Sequence, residues 1–201
     1  HRFTREVSTS GMRLLLLLGS ASAYLPVDDF PWLTELQSPE VLKELQNVAD
    51  RGAGFAPDWQ RLTSPDAAPD SWSALTLLNK GVIDDDGCGR APQTCKVLGG
   101  LEDRLKPKLG ATEVGARLLR LAAGASLRPH SGPGGRLVAH VGVLVPDGAT
   151  ITVGGEARAW EEGRCLVFDD SFVHSVAHNG SQPRIVLIVD VWHPGMGDAA
   201  R

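Results

Sequence analysis

Six histidines are spread along the chain, and two of them stand where imidazole chemistry is expected. His130 follows Arg128-Pro129 and opens His130-Ser131-Gly132-Pro133; His174 closes Phe168-Asp169-Asp170-Ser171-Phe172-Val173-His174. Arg184 follows a short way beyond. Neutral imidazole is a preferred metal ligand at neutral pH. Two imidazoles and one carboxylate, spaced His-x-Asp/Glu…His, hold iron(II) on one face and leave the other open. A planar guanidinium downstream is shaped to grip a carboxylate through two parallel hydrogen bonds. The carboxylate position of that pattern is Gly132, which has nothing to ligate with. Taken alone, His130 and His174 read equally well as ordinary hydrogen-bonded histidines.

The wider wording is more specific. His130-Ser131-Gly132-Pro133, Arg136-Leu137, His140-Val141-Gly142, Trp160-Glu161-Glu162-Gly163, the Phe168–His174 run and Val189-Asp190-Val191-Trp192-His193-Pro194 occur in one order. In that order they resemble the signature of the aspartyl/asparaginyl β-hydroxylase family. Phe30-Pro31-Trp32 and Cys88-Gly89-Arg90-Ala91-Pro92-Gln93-Thr94-Cys95 are similar to the same family, so the resemblance runs from about Tyr24 to Pro194. It implies a double-stranded β-helix, the jelly-roll or cupin-like barrel, with helices before it. It also implies an iron(II)- and 2-oxoglutarate-dependent dioxygenase whose metal is held by two histidines, with glycine where the acid would stand. Carried over by position, His130 and His174 are the metal ligands and the catalytic centre. Arg184 takes the distal carboxylate of 2-oxoglutarate, and His140 contacts the carboxylate near iron. With O2, the implied reaction hydroxylates the β-carbon of Asp or Asn in a protein partner, in animals within epidermal-growth-factor-like domains. Arg136 and Arg117 are the candidates for meeting a substrate carboxylate.

Two positions depart from the family's wording. Val138 replaces the second arginine of Arg-Leu-Arg-x-His, and Leu119 stands where relatives often carry serine; both positions help hold 2-oxoglutarate in relatives. Losing an arginine–carboxylate pair costs about 1.5–3 kcal/mol. Arg117 or Arg120, on the same expected strand, are candidates to compensate. Three other readings follow: the same chemistry on a lipid or small molecule; halogenation, with a halide where the acid is missing; and a catalytically silent β-barrel that binds a ligand or partner. Val138 and Leu119 speak for the last, and intact His130, His174 and Arg184 speak against it. Asp169-Asp170 reads as support for the His174 strand rather than as a catalytic carboxylate pair, and His193 reads as structural.

These residues need rigid elements to converge. After Gly110, short apolar or alternating runs cover Leu118–Ala122, Arg136–Val145, Thr150–Val153, Arg164–Phe168, Phe172–Ala177 and Arg184–Trp192, separated by turn residues. That spacing predicts antiparallel strands in a sandwich or barrel. Asn179-Gly180 predicts a hairpin between the last two; as Asn179-Gly180-Ser181 it is also a glycosylation sequon. Upstream, Ser38 as cap, Pro39 in the first turn and Glu40 at the positive end predict a helix burying Val41, Leu42, Leu45 and Val48. Ala53 to Asp70 reads as a loop, and Leu98–Leu109 as a second short helix.

The 201 residues suffice for one domain with a real core. Twenty basic and 24 acidic residues give a charge of −4, which offers no basic patch for nucleic acid or anionic membranes. Met12 to Ala23 carries a basic residue, a leucine run and Ala21-Ser22-Ala23, the three parts of a signal peptide. The run is too short to span a bilayer, which needs roughly 20 apolar residues. Residues 1–11 precede Met12 and are set aside, leaving 24–201 as a single oxygenase domain expected in the endoplasmic reticulum lumen or secreted, with no stable membrane insertion. In that oxidising setting Cys88 and Cys95 are placed to form a disulfide; a zinc half-site would need Cys-x-x-Cys or a histidine pair beside them. Cys165, in an apolar run, reads as a buried free thiol.

Overall fold

The computed structural model describes residues 22–58, 62–65, 67–68, 70–101, 115–132 and 135–192. Its centre is a pair of facing antiparallel sheets. In chain order the strands are β1 (Tyr24–Leu25), β2 (Ala56–Pro57), β3 (Trp72–Asn79), β4 (Val82–Ile83), β5 (Gly115–Leu121) and β6 (Leu127–His130). Then come β7 (Arg136–Leu144), β8 (Ala149–Val153), β9 (Glu156–Ala159), β10 (Cys165–Asp169), β11 (His174–His178) and β12 (Arg184–Trp192). The larger sheet runs β1-β10-β7-β12-β5-β3-β2, with β4 on β3; the smaller runs β6-β11-β8-β9. Successive strands from β5 onward are thus dealt between two four-strand faces, β10-β7-β12-β5 and β6-β11-β8-β9. That wiring is the double-stranded β-helix expected from the sequence.

Strand alternation divides the core into two layers. On β7, Leu137, Ala139, Val141 and Val143 point outward to the helices, while Arg136, Val138 and His140 point between the sheets. The outer layer is covered by α1 (Pro39–Arg51), α2 (Asp85–Arg90) and α3 (Pro92–Gly100). As the sequence predicts, Ser38 Oγ accepts from Val41 N–H at the start of α1, and Val41, Leu45 and Val48 are buried. Gly52 ends the helix at φ +62°, a conformation that favours glycine.

The helix expected over Leu98–Leu109 lies outside the described residues beyond Leu101; a helix that the sequence pattern does not announce, α3, occupies Pro92–Gly100. Proline at its first turn and a carboxylate from another helix set its start: Glu44 on α1 accepts from Gln93 N–H and Thr94 N–H, both at 2.8 Å, and from Thr94 Oγ1 at 2.6 Å. No local pattern reveals a cap supplied from so far away. Cys88 on α2 and Cys95 on α3 form a disulfide across the bend between them, and Cys165 is a buried free thiol.

One expectation is corrected, and one strand is added. Asn179-Gly180 does not join a hairpin, because β11 and β12 lie in different sheets; it is an exposed crossing between them. Trp72–Asn79, given no element by the sequence pattern, is a long strand beside β5. The expected leader lies outside the described residues apart from Ser22 and Ala23. Ala23 is buried, and its carbonyl accepts from Asp169 N–H at 2.9 Å. Among the described residues no helix is long and apolar enough to cross a membrane.

Glu44→Ala should leave the start of α3 uncapped and cost about 1–2 kcal/mol, read as a lower urea midpoint with an unchanged slope.

Candidate active site

The cavity opens between the two sheets, and one cross-strand pairing at its rim is also its chemical centre. In the β6–β11 ladder, His130 lies directly opposite His174, which brings the rings to 4.2 Å between centroids. Each ring is held by its Nδ1: His130 Nδ1 lies 2.7 Å from the Arg128 carbonyl and His174 Nδ1 2.9 Å from the Phe172 carbonyl. A carbonyl only accepts, so both Nδ1 atoms carry hydrogen and both Nε2 atoms present lone pairs. This is how backbone partners prepare histidines to ligate a metal. Burial first, and the neighbouring His130 ring among the lesser causes, holds His174 below its ordinary pKa, so it stays a neutral donor.

Position 132 explains itself through its neighbour. A Cβ there would run into Asp170 Oδ2, and the Gly132 amide donates to the Asp170 carbonyl at 2.8 Å. The space that a ligating side chain at 132 would use is filled by the carboxylate of Asp170. Its Oδ1 lies 3.6 Å from His174 Nε2, and its Oδ2 accepts from Arg136 Nε at 3.0 Å and from Arg136 Nη2. Asp169 is separate: its Oδ1 accepts from Ser171 N–H and Oγ, making the turn that leads to β11. Among the described residues, no group of three or more His, Cys, Asp or Glu side chains converges as a metal-binding cluster.

Arg136 also reaches Asp190, with Nη1 3.8 Å from Oδ2, and Arg117 Nη1 lies 3.4 Å from Asp58 Oδ2. Both arginines therefore face the cavity already matched with acids. Burial pushes the Asp190 carboxyl up to about 6, against the pull of Arg136 and Arg117. Arg120 is on the opposite face of β5, lining an outer groove beside Asp50 and Pro183, so it does not take up the role left by Leu119. Leu119 and Val138 both line the cavity.

At the inner end lies Arg184, the first residue of β12 and only 2% exposed. Its Nε has no hydrogen-bond partner, its Cζ sits 4.6 Å above the Trp160 ring, and burial pulls its pKa down to about 9. A guanidinium buried with an orphaned donor is costly unless an anion joins it. His140, also buried, receives the Trp160 indole N–H at Nδ1, 3.3 Å away. Burial, then the Arg184 cation and His174, drive its pKa well below the ordinary value. The cavity thus combines two imidazole lone pairs at its rim with a buried cation at its base that keeps one unpaired N–H at Nε, and these groups fit a divalent metal and an anionic ligand.

The wording of the chain and this geometry agree with an independent comparison. The sequence profile described as "Aspartyl/Asparaginyl beta-hydroxylase" matches residues 35–194. The chain belongs to this family. Human "Aspartate beta-hydroxylase domain-containing protein 1" is 38% identical over 173 residues, covering 84% of this chain and 43% of that protein. Mouse "Aspartyl/asparaginyl beta-hydroxylase" is 33% identical over 180 residues, covering 82% of this chain and 23% of that protein. The chain spans less than half the length of these relatives. Among solved structures, a Pseudomonas putida prolyl-4-hydroxylase aligns over 77% of this chain and 88% of its own, at 15% identity and a TM-score of 0.48.

In this member of the family, sequence reasoning gave roles to His130, His140, His174, Arg184, Arg136 and Arg117, and all six line one cavity. It gave none to Asp58, which falls in a stretch read as loop, nor to Trp160 and Asp190. The last two lie inside quoted motifs, and that was the available signal.

Gly132→Ala should cost about 1–3 kcal/mol by overpacking. Adding Asp170→Ala should recover part of that loss, leaving a non-additivity of about 1 kcal/mol in a urea-unfolding double-mutant cycle. Asp190 yields a pH test. Its folded pKa is raised, so between about 4 and about 6 the folded state holds a proton that the unfolded chain has lost. Its contribution to stability therefore falls as pH rises through that window, and Asp190→Asn should flatten the pH dependence of the urea midpoint there.

Proposed function

We propose that this chain is an iron(II)- and 2-oxoglutarate-dependent oxygenase that hydroxylates the β-carbon of an Asp or Asn side chain in a secretory-pathway protein. The observation that carries this is the pairing of two carbonyl-oriented histidines with a buried guanidinium whose Nε has no hydrogen-bond partner, in one cavity. Iron(II), 2-oxoglutarate and O2 together supply the oxidising power to hydroxylate an unactivated C–H bond. His130 and His174 would hold the metal through Nε2, their rings fixed by the Arg128 and Phe172 carbonyls. Arg184 would take the distal carboxylate of the cosubstrate, and His140 would donate to the carboxylate at the metal end. Asp170 holds Arg136 and stands beside His174, so it orders the rim.

The substrate side chain would enter past Arg136 and Arg117. The relatives' names support an aspartyl or asparaginyl target, and the Cys88–Cys95 disulfide supports an oxidising compartment. A second reading, a silent binding module, is favoured by one observation: Val138 and Leu119 line the cavity with apolar side chains where relatives help hold 2-oxoglutarate.

The test is succinate formation by the purified chain loaded anaerobically with iron(II), then given O2, 2-oxoglutarate and ascorbate. An Asp-containing disulfide-rich peptide is added or omitted, and product mass is compared with and without chloride. Peptide-stimulated succinate, a 16 Da gain on the peptide as expected for roughly one added oxygen atom, and loss of both in His174→Ala are the expected outcome. Iron binding without succinate at millimolar cosubstrate would favour the binding module.

A further inference from the structure

Three histidines meet this cavity, and their Nδ1 partners are of opposite kinds. His130 and His174 face carbonyls, so each keeps its hydrogen on Nδ1 and offers a lone pair at Nε2. His140 faces the indole N–H of Trp160. An indole nitrogen is a donor only, so Nδ1 of His140 must present its lone pair, and the neutral ring then carries its hydrogen on Nε2. Two rings are thereby set to receive a cation and the third to donate to an anion.

Trp160 itself stands behind the cavity wall, just after β9 and 3% exposed. Its ring lies nearly parallel to that of His140, at 20° and 6.0 Å between centroids. Arg184 rests above it at 4.6 Å, a cation–π contact that stabilises a desolvated guanidinium. The two cavity groups best suited to carboxylates therefore lean on one indole. With Val138 and Leu119 apolar, His140 and Arg184 carry a larger share of anion recognition here than in a site with arginine and serine at those positions.

We propose that Trp160 is a positioning residue: its N–H fixes His140 as the Nε2–H donor, its face carries Arg184, and one side chain thereby sets the contacts to both ends of a dicarboxylate cosubstrate. The binding half rests on the function proposed above; the tautomer half rests on geometry alone. Trp160→Phe removes the N–H and keeps an aromatic face, and Trp160→Leu removes both.

The experiment is two-bond 1H–15N NMR on the metal-free protein with labelled histidine, His140 assigned from a His140→Gln control. It is paired with calorimetric titration of 2-oxoglutarate into the manganese(II)-loaded protein. The wild type should show His140 as the Nε2–H tautomer. Trp160→Phe should bring its two nitrogen resonances together and weaken 2-oxoglutarate roughly tenfold, the usual scale for losing such a partner; Trp160→Leu should weaken it further. A wild-type His140 protonated on Nδ1, or a Trp160→Phe protein with unchanged tautomer and affinity, would overturn the proposal. If the tautomer responds as stated but the wild type does not bind 2-oxoglutarate, the cosubstrate assignment falls with the binding half, and the His140–Trp160 link is upheld.

Discussion

The register of β11 on β6 is the constraint on which the rest of this site depends. It sets His130 directly against His174; a slip of one residue would turn one ring to the far face of its sheet, because strand side chains alternate. The register is shared with β8, which pairs with β11 from His174↔Val153 to His178↔Ala149. At the end of the strand, the buried His178 Nε2 lies 2.7 Å from the Gln182 carbonyl, which holds the loop where the chain leaves one sheet for the other. The histidine pair is thus fixed by backbone pairing on both sides, before any metal is considered.

Around that pair, charge is arranged in two zones that differ in solvation. Toward the rim, Arg136 and Arg117 are matched by Asp170, Asp190 and Asp58, so the rim presents paired ions rather than bare cations. Deeper, Arg184 has an aromatic face and an orphaned Nε. A buried charge of this kind persists only where the fold is stable enough to bear its desolvation. The double-layered core supplies that stability: every outward residue of β7 packs under helices that are themselves tied by Glu44 and by the disulfide. Gly132 joins the two zones. Its missing side chain admits Asp170, which lies against His174 and holds Arg136 at once.

Much of this was determined by the sequence by itself. The alternation of β5, β7, β8, β10, β11 and β12, the cap and apolar face of α1, and the order of the histidine- and arginine-bearing motifs are local properties, and local chemistry is enough to express them. What sequence could not express was anything set by a distant partner. The start of α3 is decided by a carboxylate on another helix, β3 by the strand it lies beside, and the Asn179-Gly180 crossing by which sheet each flanking strand joins. The same holds in the site: the role of Asp170 appears only where it meets Gly132, and the pairing of Arg117 only where Asp58 arrives from a loop. Tertiary structure alone decided these, because each is a contact between chain segments whose spacing in sequence carries no signal, while the histidine pattern stays legible because two ordered strands must always present it in the same way.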